Sequence, residues 1–125
     1  MTLTLGSFVA PAYTKNRTLA LLHKNRELFR FLADELNSPW AASVCRYLAC
    51  ESYNRESVST AYRSAQCTAF DALKHLNDHG SHELALRLGR FTCDAEPSVA
   101  GLDCLEEAMS EVAARKDEFP KRLIV

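Results

Sequence analysis

Three of the five cysteines, Cys45, Cys50 and Cys67, fall in one stretch, CRYLACESYNRESVSTAYRSAQC. Sulfur at that density can bind a metal, close a disulfide, attack a substrate or simply pack. Two ligands on one helix chelate an ion when they are three or four residues apart. Cys45 and Cys50 are five apart, about 140° around a helical wheel, and do not face one ion. No C-x-x-C occurs, so neither a zinc knuckle nor a thioredoxin-type motif is supported. An odd number of cysteines cannot all pair within one chain. The cysteines are therefore read as packing residues, as free cysteine behaves as a small hydrophobe. Cys45 is placed toward the core. Cys50 and Cys67 fall off it and remain the candidates for a redox-sensitive or interchain thiol.

The segment HLNDHGSH offers His75, His79 and His82, with Asp78 and Glu83 beside them. It lacks the glutamate of a zinc-protease helix. Gly80 is expected to end a helix, which puts His79 in a last turn where the helix dipole favours a histidine. Nucleophilic catalysis needs a nucleophile beside a base. No G-x-S-x-G and no phosphate-cradling glycine loop is present. No catalytic residue, metal ligand or cofactor site is assigned, and the protein is expected not to be an enzyme.

These residues sit in a chain of 125, the length of one domain. With 47% hydrophobic and 25% charged residues, the chain is an ordinary globular one and not a disordered one. Net charge is −1, so no global field draws it to nucleic acid or anionic lipid. Residues 1–55 carry seven Lys/Arg against four Asp/Glu, and residues 56–125 carry eight against twelve, a mild polarity. The start, MTLTLGSFVAPA, has no basic region and a broken apolar stretch, so no secretion signal is read. No apolar run approaches membrane-spanning length. A cytoplasmic protein with reduced thiols is expected.

The elements that would position these residues are helical throughout. The first helix is expected from about Lys15 to Leu36, with Thr14 as its N-cap. Ser38 and Pro39 fit the cap and first position of a second helix to about Tyr53. Asn54 caps a third, to about Asp78. Gly80 and Ser81 suggest a stop and a restart, with a fourth helix from His82 to Phe91. The last begins near Ser98 or Leu102 and ends at Arg115. TLTL and LIV are the only strand-like signals. The expected fold is all-α, an irregular bundle of four to five helices. It forms a single domain over 1–125, with residues 1–13 as an extended arm and 116–125 as a tail.

Wheels assign the faces. The first helix puts Leu21, Leu22, Leu28, Phe29, Leu32 and Leu36 together and leaves Phe31 among Lys24, Glu27 and Glu35. The third puts Val58, Ala61, Tyr62, Ala65, Ala69, Leu73 and Leu76 together and leaves Cys67 and Phe70 off that face. The last sets Leu102, Leu105, Met109 and Val112 against the core, with Asp103, Glu106, Glu107 and Glu111 outward. Surplus apolar surface marks an interface. Leu3, Leu5 and Phe8 of the arm, with Phe31, Cys67 and Phe70, are the partner-binding candidates. A second copy of the chain, as a homodimer, and another protein are both candidate partners.

A helix-turn-helix outline spans AASVCRYLACESYNRESVSTAYRSAQ, with Arg55 and Arg63 on its second helix. It would place Glu51 in a buried position and Ser52 where a turn glycine is usual, and a DNA reader is more basic than this chain. Direct nucleic-acid binding is therefore kept only as an alternative. A small metal- or thiol-dependent protein is the other. The start MTLTLGSFVAPAYTKNRTLALLHKNRELF, with the chain's size and helical layout, resembles the small bacterial anti-activators of quorum sensing. Those are helical proteins that bind a LuxR-type transcription factor and prevent its dimerisation or DNA binding. The resemblance implies transcription regulation by occlusion, without chemistry, and carries over no residue roles.

Overall fold

The computed structural model describes residues 11–50 and 53–119. Those residues form α1 (Pro11–Lys24), α2 (Arg26–Glu35), α3 (Pro39–Leu48), α4 (Arg55–Leu76), α5 (His79–Gly89) and α6 (Val99–Ala114). A 3-10 turn, Lys116–Glu118, follows. No strand occurs among the described residues, and TLTL and LIV lie outside them. No helix among them is long and apolar enough to cross a membrane.

The all-α class is as expected, but six helices stand where four or five were anticipated. The difference lies at Asn25, which divides the expected 15–36 helix into α1 and α2. The backbone bonds Asn25 N–H to Leu21 O and Phe29 N–H to Asn25 O run through the break, so the chain kinks without looping out. Asn25 Nδ2 also donates to Leu21 O at 2.9 Å. An asparagine amide that competes for a helix carbonyl in this way disturbs the ladder without breaking the apolar periodicity.

Other boundaries move for local reasons. α1 starts at Pro11, so residues 11–13 are helical and do not belong to an arm. Proline suits a first helical turn. Thr14 is inside the helix, where its carbonyl accepts from Thr18 Oγ1. Ser38 and Asn54 cap α3 and α4 as expected, Asn54 through a reciprocal capping box with Ser57. α3 stops at Leu48, short of Tyr53, and tightens as Cys50 N–H bonds to Tyr47 O, three residues back. Gly80 and Ser81 do not make the α4–α5 junction. Asn77 adopts the left-handed conformation at φ 53° and Asp78 caps α5, accepting from Ser81 N–H at 2.9 Å.

α4 is the axis of the bundle, with α1, α2, α3, α5 and α6 all packed against it. Its buried arc carries Ala61, Ala65, Ala69 and Ala72, which let neighbouring helices come close. Phe29 and Leu32 of α2, Leu84 and Leu88 of α5, and Leu102, Leu105 and Met109 of α6 fill the space left. Four polar side chains of α4 are also buried: Ser59, Ser64, Gln66 and Thr68. The wide arc means that α4 is buried on more than one side.

Two polar joints lock the bundle. Tyr62 is fully buried. Its hydroxyl accepts from Gln66 Nε2 at 2.8 Å and is hydrogen-bonded to Ser98, the N-cap of α6. Burial, with the nearby Asp94 charge, pushes the phenol up to about 12. The second joint is Arg115, just past α6. It pairs with Asp78, with Glu111 at 3.3 Å and with Glu118 at 2.7 Å, and donates to Ser81 Oγ at 2.9 Å. One guanidinium thus ties the start of α5 to the end of α6. Hydrogen bonds to the Ser81 amide and to Arg115 hold Asp78 below the usual carboxylate range, and Arg115 does the same for Glu118.

Two glycines give opposite predictions. A Cβ on Gly101 would collide with Tyr62 Oη and lie 2.9 Å from Ser98 Oγ, whereas one on Gly89 would meet Phe70 Cε2 at an ordinary 3.8 Å. Gly101→Ala should destabilise by about 1–3 kcal/mol through overpacking. Gly89→Ala should be neutral or stabilise by up to about 1 kcal/mol. Denaturant titration of both variants checks the signs. Acid is the second lever. Because the Asp78 and Glu118 pKa values are lowered on folding, their stabilisation is present above the ordinary carboxylate range and is lost as pH falls through the folded values. Arg115→Met should lower the melting temperature at pH 7 and flatten its fall between pH 5 and pH 2.

Candidate interaction surface

The arc of α4 that escapes burial runs through Glu56, Arg63, Phe70 and Lys74, with Cys67 and Asp71 beside it. Glu56, Arg63 and Lys74 are exposed, while Cys67, Phe70 and Asp71 are half-buried. The Lys74 ammonium lies 5.4 Å above the Phe70 ring, within cation–π range. Partial burial, assisted by Asp71 and opposed by Arg63, raises the Cys67 thiol. Cys67 and Phe70 therefore share one ridge, an aromatic and a sulfur between two basic residues.

Phe31 belongs to a different contact. It is half-buried, and Phe119 meets it edge-on with ring centroids 6.1 Å apart at 83°. Lys116 Nζ lies 4.6 Å from the Phe31 centroid. Phe119 is only 4% exposed and joins the core. The segment beyond α6, read as a tail, thus folds back on α2 at residues 116–119 and provides the partner for the aromatic that the wheel left on a charged face. Leu3, Leu5 and Phe8 lie outside the described residues.

Three concavities border α4. The first, about 700 Å³, lies between the starts of α1 and α4 and the 96–99 segment, with Ala12, Val58, Pro97 and Val99 in its wall. The second, about 760 Å³ and more open, continues along α4 to Arg63 and Asp94. Both border the Arg55–Glu96 ion pair, in which Arg55 Nη2 donates to Glu96 Oε2 at 2.8 Å. The third, about 190 Å³, lies between Leu36–Pro39 and the Asp71, Lys74 and His75 end of α4.

The histidines do not converge. His75 ends α4, and His79 opens α5 instead of closing α4 as expected, with Nε2 3.2 Å from Glu83. No group of three or more His, Cys, Asp or Glu side chains among the described residues is placed to hold a metal ion. In the α3–α4 pair, Arg55 is engaged by Glu96, and Arg63 is exposed. Glu51 and Ser52 lie outside the described residues.

Sequence reasoning passed over Trp40, 46% exposed, and Leu86, 71% exposed. Leu86 was within reach of the wheel, since it falls about 200° from the buried Leu84. Trp40 sits in the first turn of α3, where too few neighbours fix a face.

Comparison of the chain with protein-family models, curated proteins and solved structures found no match.

Exposure orders the thiols. Cys50 and Cys93 are exposed, Cys45 and Cys67 are half-buried, and Cys104 is buried. Burial raises the thiols of Cys45, Cys67 and Cys104. Because the thiolate is the reactive form, alkylation of the native protein should modify Cys50 and Cys93 first and Cys104 last. Peptide mass mapping over a time course reads the order, and early labelling of Cys104 would contradict the packing described.

Proposed function

We propose that this protein is a cytoplasmic, non-enzymatic regulator that works by binding another protein. The specific reading is an anti-activator that sequesters a LuxR-type transcription factor by covering its dimerisation or DNA-binding surface. The observation that carries the binding role is the ridge of α4, where Cys67 and Phe70 stay half-exposed between Arg63 and Lys74. Aromatic and basic side chains around a partly desolvated centre are the composition from which binding hot spots are built. The exposed Trp40 on the neighbouring α3 adds a second aromatic. The LuxR-type target comes from the resemblance in size and helical layout.

The packing of α4 favours this reading over direct DNA recognition. A recognition helix lays an open face in the major groove. α4 is packed by all five other helices and keeps only a stripe. A protein surface needs no deeper access than that.

The test uses purified LuxR-type factors from the source organism in a DNA gel-shift assay. The wild-type chain should abolish the shift of one factor near equimolar ratio. Phe70→Arg should raise the required concentration at least tenfold, the effect of about 1.4 kcal/mol. Lys74→Glu, at an exposed position, gives a second variant if Phe70→Arg fails to fold. Unchanged DNA binding by every factor at tenfold excess of the wild-type chain would overturn the anti-activator reading.

A further inference from the structure

We propose that the exposed stripe of α4 docks an acidic helix of a partner protein, which sets an aliphatic side chain against Phe70 and carboxylates against Arg63 and Lys74. The inference rests on the reading of this ridge as a partner surface and adds the partner's chemistry.

The first argument is unanswered charge. Arg17 is met by Asp103, Arg55 by Glu96, Arg87 by Glu107 and Arg115 by Asp78 and Glu118. Arg63 and Arg90 are exposed and join no ion pair among the described residues, and Lys74 is engaged by the Phe70 ring alone. Arg90 directly follows Gly89, which lies against that ring. Three cations without a carboxylate thus border one aromatic.

The second argument is register. Arg63 and Lys74 stand eleven residues apart within α4, roughly 16 Å along the axis and about 20° around it. Phe70 falls between them on the same line, with Cys67 about 40° to one side of Arg63. A second helix laid along this stripe repeats the spacing. Carboxylates eleven residues apart share one of its faces, and the fourth and seventh positions between them point the same way.

The third argument is the opening beside Phe70. The ring is half-buried, and α5 passes it at Gly89, where even a Cβ would stand 3.8 Å from Phe70 Cε2. With only hydrogen on that glycine, the seam has room for an aliphatic side chain from outside.

The pattern of charge favours a protein over a phosphate chain. Glu56 is exposed at the start of the same stripe, and half-buried Asp71 lies beside Cys67. A continuous polyanion would run against both, whereas two separate carboxylates avoid them.

The test uses a labelled helical peptide of alanine and glutamine. It carries two glutamates eleven residues apart and leucines at the fourth and seventh positions between them. A counterpart has lysines in place of the glutamates. Exchanging the sign turns two attractions into two repulsions, each modest at an exposed site. The glutamate peptide should therefore bind the full chain roughly tenfold more tightly by fluorescence anisotropy, with the preference shrinking as salt is raised. It should move the amide resonances of Arg63, Cys67, Phe70, Lys74 and Gly89. Arg63→Glu combined with Lys74→Glu should reverse the preference. If that variant does not fold, the wild-type comparison decides alone. Equal affinity for the two peptides, binding of neither, or shifts confined to other helices would overturn the proposal. A duplex DNA that moves the same amides and binds more tightly than the glutamate peptide would overturn it in favour of nucleic acid. A failed gel shift beside the expected peptide result removes the LuxR-type target and keeps the acidic partner. A successful gel shift beside a negative peptide result removes the acidic partner and keeps the anti-activator.

Discussion

A central helix must be wide enough to touch every neighbour and narrow enough to let them close around it. α4 meets both demands with a 22-residue length and a buried arc rich in alanine. The alanines contribute little contact surface themselves. Their value is that the phenylalanine and leucines of α2, α5 and α6 can reach the axis and one another. Apolar burial of about 25 cal/mol per Å² then acts over the neighbours' larger side chains. Enlarging one alanine on this arc would push at least one helix outward, because a packed interior has no slack.

The same arrangement forces polar groups inward. A helix surrounded on most sides has no open face for Gln66 or the Tyr62 hydroxyl, and each must find a partner in the protein. Tyr62 finds Gln66 and the cap of α6, and Gly101 is small enough to let that cap approach. Gln66 Oε1 is left without a hydrogen-bond partner. The polar joint fixes where α6 starts, and Arg115 fixes where it ends relative to α5. What remains outside is the stripe around Cys67 and Phe70. The ridge proposed as a partner surface is thus the part of the axis that the bundle fails to cover.

The sequence made the faces legible because apolar periodicity survives local disturbance. Every residue set on the core face of the first helix is buried or half-buried, even though Asn25 divides that helix in two. Boundaries were harder. The HLNDHGSH segment offers two rival stops, and a glycine is the usual choice. The structure selects Asn77 and Asp78, a choice supported by Arg115, which lies far along the chain and pairs with Asp78. Phe31 shows the same limit, since its cover, Phe119, is 88 residues away. Cys67 and Phe70 were readable as a pair from their spacing on one helix. Which side of α4 stays open depends on how five other helices pack, and no single-helix pattern contains that.

Native-state hydrogen exchange addresses the central role of α4 most directly. Amides in the most deeply packed element exchange only through global opening, while peripheral elements open locally at lower free energy. The Ala61–Leu73 amides should exchange at the global limit, with exchange free energies equal to the unfolding free energy from denaturant titration. If those amides instead exchange through openings cheaper than those of α5 or α6, α4 is not the element on which the bundle is built.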